Sequence, residues 1–239
     1  MTAGHKARDA SAAYGRPRGF RQWRAPLALA ATFLLGAALA GPAAAKTLRI
    51  VALGDSLTAG YQLPADAAFP AVLEHALKAR GFDVQVANAG VSGDTANDAK
   101  ARLDWSIGEG ADGVIVEIGA NDMLRGLDPQ IPRDSIAAIL AALREREIPV
   151  LLTSMRAAPN LGADYVGRFD AIYADLAEKY GATLAPFFLE GVAGHPDQQL
   201  PDGLHPNRKG VETIVANLTP SVAGWLDKIR ASSTQLAKP

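Results

Sequence analysis

The stretch Gly113-Val114-Ile115-Val116-Glu117-Ile118 decides the class of fold. Its β-branched run shows no alternation of apolar and polar residues, which is the pattern of a strand buried on both faces. Strands of that kind belong to parallel sheets with helices packed on each side.

Working outward, residues 48–53 and 84–88 read as two earlier strands, and residues 150–153 and 183–186 as two later ones. Helical spacing lies between them. Phe69, Val72, Leu73, Ala76 and Leu77 form one face, stopped at Gly81, and a polar helix is expected from Thr95 to Trp105. Ile136, Ile139, Leu140 and Leu143 mark the next helix, and Phe169, Ile172, Tyr173, Leu176 and Tyr180 another, stopped at Gly181. A last pattern runs from Val211 to Ile229, with a kink or split expected near Pro220. This alternation predicts a three-layer α/β/α sandwich with a five-stranded parallel sheet, of flavodoxin-like type. Ligands of such sheets bind beyond the carboxyl ends of the strands.

Four segments are expected to meet at that edge: Gly54-Asp55-Ser56-Leu57-Thr58-Ala59-Gly60-Tyr61, Asn88-Ala89-Gly90-Val91-Ser92-Gly93-Asp94-Thr95, Gly119-Ala120-Asn121-Asp122 and Asp202-Gly203-Leu204-His205-Pro206-Asn207. Together they supply what acyl transfer requires. The Ser56 hydroxyl needs a base to take its proton, and the imidazole of His205 is the natural candidate. Asp202, three residues before His205, can fix the imidazole tautomer and stabilise the cation. The backbone amides of Ser56 and Gly90 and the side-chain amide of Asn121 are the expected donors to a tetrahedral oxyanion. A glycine-rich turn after a first strand also suits a nucleotide-binding module, but that reading leaves Asp202 and His205 unexplained.

These four blocks resemble those of the SGNH hydrolase family, whose letters correspond here to Ser56, Gly90, Asn121 and His205. They are similar in particular to its periplasmic subgroup of thioesterases, lysophospholipases and arylesterases. Leu124-Arg125-Gly126 and Pro186-Phe187-Phe188 add to that likeness, and the resemblance spans the chain from Lys46 onward. It implies a small-molecule acyl ester, acyl thioester or lysophospholipid substrate and no cofactor. Carbohydrate O-acetyl esterases share the same blocks and stand as the alternative. The resemblance also places the loop 154–162 beside the acyl pocket, with Arg156, Pro159 and Asn160 as candidate substrate-binding residues. One departure is Ala120, where Gly-Gly-Asn-Asp is the commoner form; its methyl narrows the site slightly.

Residues 1–45 read as a cleavable export signal. Lys6, Arg8, Arg16, Arg18, Arg21 and Arg24 precede an apolar run over residues 25–40, and Ala43-Ala44-Ala45 offers a small-residue cleavage site. An uncleaved anchor is the competing reading, but the run is rich in Ala and ends at Pro42, which suits a membrane span poorly. Cleavage near Ala45 predicts a periplasmic or secreted protein with a hydrolase domain over residues 46–230 and a polar tail over 231–239. Without the basic leader the chain keeps 18 basic and 24 acidic residues, which argues against nucleic acid. There is no cysteine, hence no disulfide, thiolate metal site or catalytic thiol. No His pair has metal-ligand spacing, and no metal is expected. Asp55, Asp94 and Asp122 read as loop-organising carboxylates, His75 as an exposed helix residue and His195 as a loop residue. A monomer is expected.

Overall fold

The computed structural model describes residues 46–236, so the expected export signal lies outside the described residues. Five parallel strands form one sheet: β1 (Leu48–Gly54), β2 (Val84–Gly90), β3 (Gly113–Glu117), β4 (Val150–Ser154) and β5 (Thr183–Phe187). Their spatial order is β2-β1-β3-β4-β5, the doubly wound order in which chain direction across the sheet switches beside β1. β3 is buried along its whole length, Glu117 included. The carboxyl ends of β1, β2 and β3 are in register, with Gly54 paired to both Gly90 and Glu117.

Helices cover both faces. α2 (Phe69–Ala79) packs against α8 (Arg208–Leu236), while α6 (Gln130–Glu145) packs against α3 (Ala96–Ala101) and α7 (Ala163–Tyr180). The apolar faces read from sequence are the buried ones: Phe69, Leu73 and Leu77 on α2, Ile136, Ile139, Leu140 and Leu143 on α6, Phe169, Ile172 and Leu176 on α7. Each such side chain removed from water contributes roughly 1.5–3 kcal/mol, which makes these faces the main source of stability.

Three local features differ from expectation. The polar helix over 95–105 is two short helices, α3 and α4 (Leu103–Ile107), separated at Arg102. Thr95 starts α3 with a capping box, its side chain accepting from the Asp98 amide while Asp98 accepts from the Thr95 amide. Pro220 does not split the last helix: α8 runs through it, and the Thr219 hydroxyl donates to the Val215 carbonyl at 2.5 Å. The same helix continues to Leu236, so the expected tail is helical over its first six residues, which contain neither Gly nor Pro.

Candidate active site

Ser56 begins α1 (Ser56–Ala59), a single turn entered directly from β1. The Asp55 carboxylate caps that turn by accepting from the Leu57 amide at 2.9 Å. Gly60 closes it at φ 80°, and the amides of Gly60 and Tyr61 both donate to the Ser56 carbonyl. A Cβ at Gly60 would lie 2.6 Å from the Ala68 methyl, so the position needs glycine for space as well as for φ. The turn leaves Ser56 only 8% exposed, with its own amide unpaired among the described residues.

His205 comes from a tight turn just before α8. Pro201-Asp202-Gly203 reverses the chain, with Gly203 at φ 68°, and the Leu200 amide donates to the His205 carbonyl at 2.8 Å. Asp202 Oδ1 accepts from the amides of Leu204 (2.9 Å) and His205 (3.0 Å), the habit of an Asp at a turn. Its other oxygen, Oδ2, lies 2.7 Å from His205 Nδ1, and His205 Nε2 lies 2.9 Å from Ser56 Oγ. An ionised carboxylate only accepts, so Nδ1 carries the ring proton and Nε2 is free to receive the one on Ser56. Burial raises the Asp202 pKa, but the two amides and the His205 ring outweigh it and hold the carboxyl at about 2. The Tyr61 ring lies 4.4 Å from the His205 ring, centroid to centroid, and adds a second constraint on the imidazole.

Asn121 lies on α5 (Ala120–Leu124), immediately after β3. Its Nδ2 donates to the Asp94 carbonyl at 3.0 Å and only loosely to Asp55 Oδ2, at 3.4 Å. Gly90 does not match its expected role. Its amide donates to the Asn88 side chain at 2.9 Å and is already used. The reason for glycine there is packing: a Cβ would lie 2.3 Å from the backbone nitrogen of Ala59, so Gly90 lets α1 rest on the end of β2. In the next turn the amides of Ser92 and Gly93 have no hydrogen-bond partner among the described residues. That turn is tied to α5 twice, through Asp94 to Asn121 and through the Gly93 carbonyl to Arg125 at 2.7 Å.

Arg102 is a residue the sequence did not single out. Its guanidinium donates to the carbonyls of Gly54 (2.8 Å) and Ala89 (2.9 Å) and pairs with Asp94 at 2.5 Å, so one side chain ties the ends of β1 and β2 to the turn that follows. Asp122 accepts from the Ala96 amide at 2.8 Å. Asp55, Asp94 and Asp122 thus organise loops, as expected. His75 and His195 are exposed and lie outside this cluster. Among the described residues no group of three or more His, Asp or Glu side chains is placed to hold a metal ion.

A cavity of about 560 Å³ opens beside Ser56, Asn121 and His205. Its walls are mostly apolar, with Leu57, Met123, Met155, Phe187, Leu189 and Leu204 contributed by five separate parts of the chain. Ala120 is among the residues that line it. Of the three candidate substrate-binding residues, Arg156 and Pro159 line the cavity and Asn160 does not. Arg156 is held over the Phe187 ring at 5.0 Å and pairs with Glu190 at 3.5 Å, an exposed and weak contact.

Comparison with known proteins agrees with this geometry. Residues 52–212 match the GDSL-like lipase/acylhydrolase family. The chain is 39% identical to an arylesterase of Vibrio mimicus over 159 residues, covering 66% of this chain and 80% of that protein. It is 38% identical to thioesterase 1/protease 1/lysophospholipase L1 of Escherichia coli K12 over 187 residues, covering 78% and 84%. The crystal structure of AlinE4, an SGNH-hydrolase family esterase, superposes with a TM-score of 0.64 at 46% identity, over 76% of this chain and 97% of that one. The chain belongs to the GDSL-like lipase/acylhydrolase family, the SGNH hydrolases.

Proposed function

We propose that the protein cleaves carboxylic esters and acyl thioesters, lysophospholipids among them, through an acyl-enzyme on Ser56. The continuous hydrogen-bonded chain from Ser56 Oγ through His205 to Asp202 carries this reading. Ser56 attacks the carbonyl as His205 takes its proton, and Asp202 stabilises the imidazolium. His205 then returns the proton to the leaving group, and activates the water that releases the acyl group. The developing oxyanion is met by the Ser56 amide, by Asn121 Nδ2 and by an amide of the Ser92–Gly93 turn in place of Gly90. For this, Asn121 exchanges only its loose contact with Asp55.

The apolar cavity supports an acyl chain over a sugar as the group held beside the nucleophile. Relatives named arylesterase and thioesterase/lysophospholipase support the same substrate range. Triad, oxyanion donors and cavity all come from one chain, which supports action as a monomer. The basic and apolar leader over residues 1–45 supports export, with a mature protein beginning at Lys46 in the periplasm or outside the cell. No helix among the described residues is long and apolar enough to cross a membrane.

A substrate panel tests the reading: p-nitrophenyl esters of increasing chain length, acyl thioesters, a lysophospholipid and acetylated xylan. Hydrolysis of the acyl esters and thioesters well above that of acetylated xylan is expected. The reverse order would assign the site to carbohydrate deacetylation. Intact mass of the exported protein, starting at Lys46, tests the leader.

A further inference from the structure

The catalytic scheme leaves one buried acid unused. Glu117 ends β3, the strand beside β1, and is fully enclosed directly beneath the turn that carries Ser56. Its Oε2 accepts a hydrogen bond at 2.7 Å from the hydroxyl of Thr58, itself fully buried two residues past Ser56. Both groups press on the backbone before Ser56. A Cβ at Gly54 would lie 2.1 Å from Thr58 Oγ1 and 2.7 Å from Glu117 Oε2, so the chain approaches the carboxyl as closely as glycine permits. Such a placement needs a reason. A carboxyl inside an apolar sheet is costly unless it is paired or neutral, and Oε1 has no hydrogen-bond partner.

We propose that Glu117 is a positioning residue for the nucleophile: through Thr58 it anchors α1 to the central strand and holds the Ser56 hydroxyl and amide in line with His205 and Asn121. The inference rests on Ser56 being the nucleophile. α1 is a single turn whose upper side rests on the end of β2, so its orientation also depends on what holds it from below. Asp55 fixes one end by capping, and the Glu117–Thr58 bond fixes the other. Burial, and then the neighbouring Asp55 carboxyl, push the Glu117 pKa well up against the opposing bonds from Thr58 and nearby amides. Toward Thr58 the group serves as an acceptor, a duty a carboxamide oxygen can also perform.

The test compares Glu117→Ala, Glu117→Gln and Thr58→Val with the wild type. The readouts are kcat and KM on a p-nitrophenyl ester, the rate of fluorophosphonate labelling of Ser56, and thermal unfolding. In Glu117→Ala, kcat and labelling rate are expected to fall together by about 10²-fold, as for a nucleophile displaced by around 1 Å, with KM nearly unchanged. Thr58→Val should lower the same two quantities, and adding it to Glu117→Ala should cost little more, because both remove one contact. Glu117→Gln should restore most of the lost rate. A folded Glu117→Ala or Thr58→Val protein with wild-type kcat and labelling rate overturns the proposal, as does Gln failing to rescue a folded protein. If Glu117→Ala does not fold, Thr58→Val and Glu117→Gln decide alone. Labelling of the wild type but not of Ser56→Ala keeps the nucleophile assignment standing whichever way these variants behave.

Discussion

Asp202→Asn should inactivate the protein more completely than loss of one charge suggests, and the structure says why. The Oδ1 position is fixed by two donors, the amides of Leu204 and His205. An asparagine there must turn its carbonyl oxygen toward them, because its NH₂ group cannot accept a hydrogen bond. The NH₂ then takes the place of Oδ2, 2.7 Å from His205 Nδ1, and donates to it. The ring proton is driven to Nε2, which now faces Ser56 as a donor and cannot take its proton. Reversing the tautomer in a serine triad costs about 10⁴ in kcat, or roughly 5.5 kcal/mol of transition-state stabilisation. Steady-state hydrolysis of a p-nitrophenyl ester measures it, with Asp202→Ala as the control that removes the carboxylate without imposing a tautomer. Asp202→Asn should be no more active than Asp202→Ala. An Asp202→Asn protein within tenfold of the wild-type kcat would refute the assignment of Asp202 as the residue that sets the tautomer.

Further predictions concern the oxyanion, the acyl pocket and pH. Asn121→Ala should lower kcat by about 10² to 10³, the usual cost of one oxyanion donor; a folded variant that loses less than tenfold would exclude the role. Across a series of straight-chain esters, kcat/KM should rise by roughly fourfold per methylene, at about 0.8 kcal/mol each, until the apolar cavity is filled. A flat series would mean that the acyl chain lies elsewhere. Asp55 is held at about 7, above its ordinary 3.8, first by burial and then by the charges of Asp122 and Asp94, against the bonds from Leu57 and Asn121. Its proton is bound more tightly in the folded state, so this group's contribution to stability is intact below pH 3.8 and is lost as pH rises toward about 7. Asp55→Asn retains the capping oxygen without the charge, and its melting temperature should gain on the wild type between pH 5 and 8; parallel profiles would contradict the buried-carboxylate account.

The fold was legible because its signals are local and redundant. Short segments rich in apolar residues alternate with helix faces such as Phe69, Leu73 and Leu77, and that alternation is the pattern of a covered parallel sheet. The hydrogen-bonded cluster of Ser56, His205 and Asp202 was legible because each member stands in a short block at a strand end or in a turn. What escaped depends on packing between distant segments. Gly90 looked like an oxyanion donor because a glycine before a turn suits either close approach or amide donation. Only the seat of α1 on β2, and the Asn88 side chain, decide between them. Glu117 passed as one residue of a buried strand, although an acid inside a β-branched run is itself a signal of special duty. Arg102 sat in a polar helix like any surface cation, and its inward turn follows from carbonyls more than ten residues away. The cavity is assembled from five parts of the chain, so its apolar character is not readable from loop 154–162 alone, and Asn160, which the resemblance offers, does not line it.

The central claim, that Ser56 is an activated nucleophile, is tested most directly by treating the protein with a fluorophosphonate and reading intact mass beside Ser56→Ala. One adduct on the wild type and none on the variant is the predicted result. A well-folded wild type that takes no adduct, or a Ser56→Ala protein that is still labelled, would contradict it.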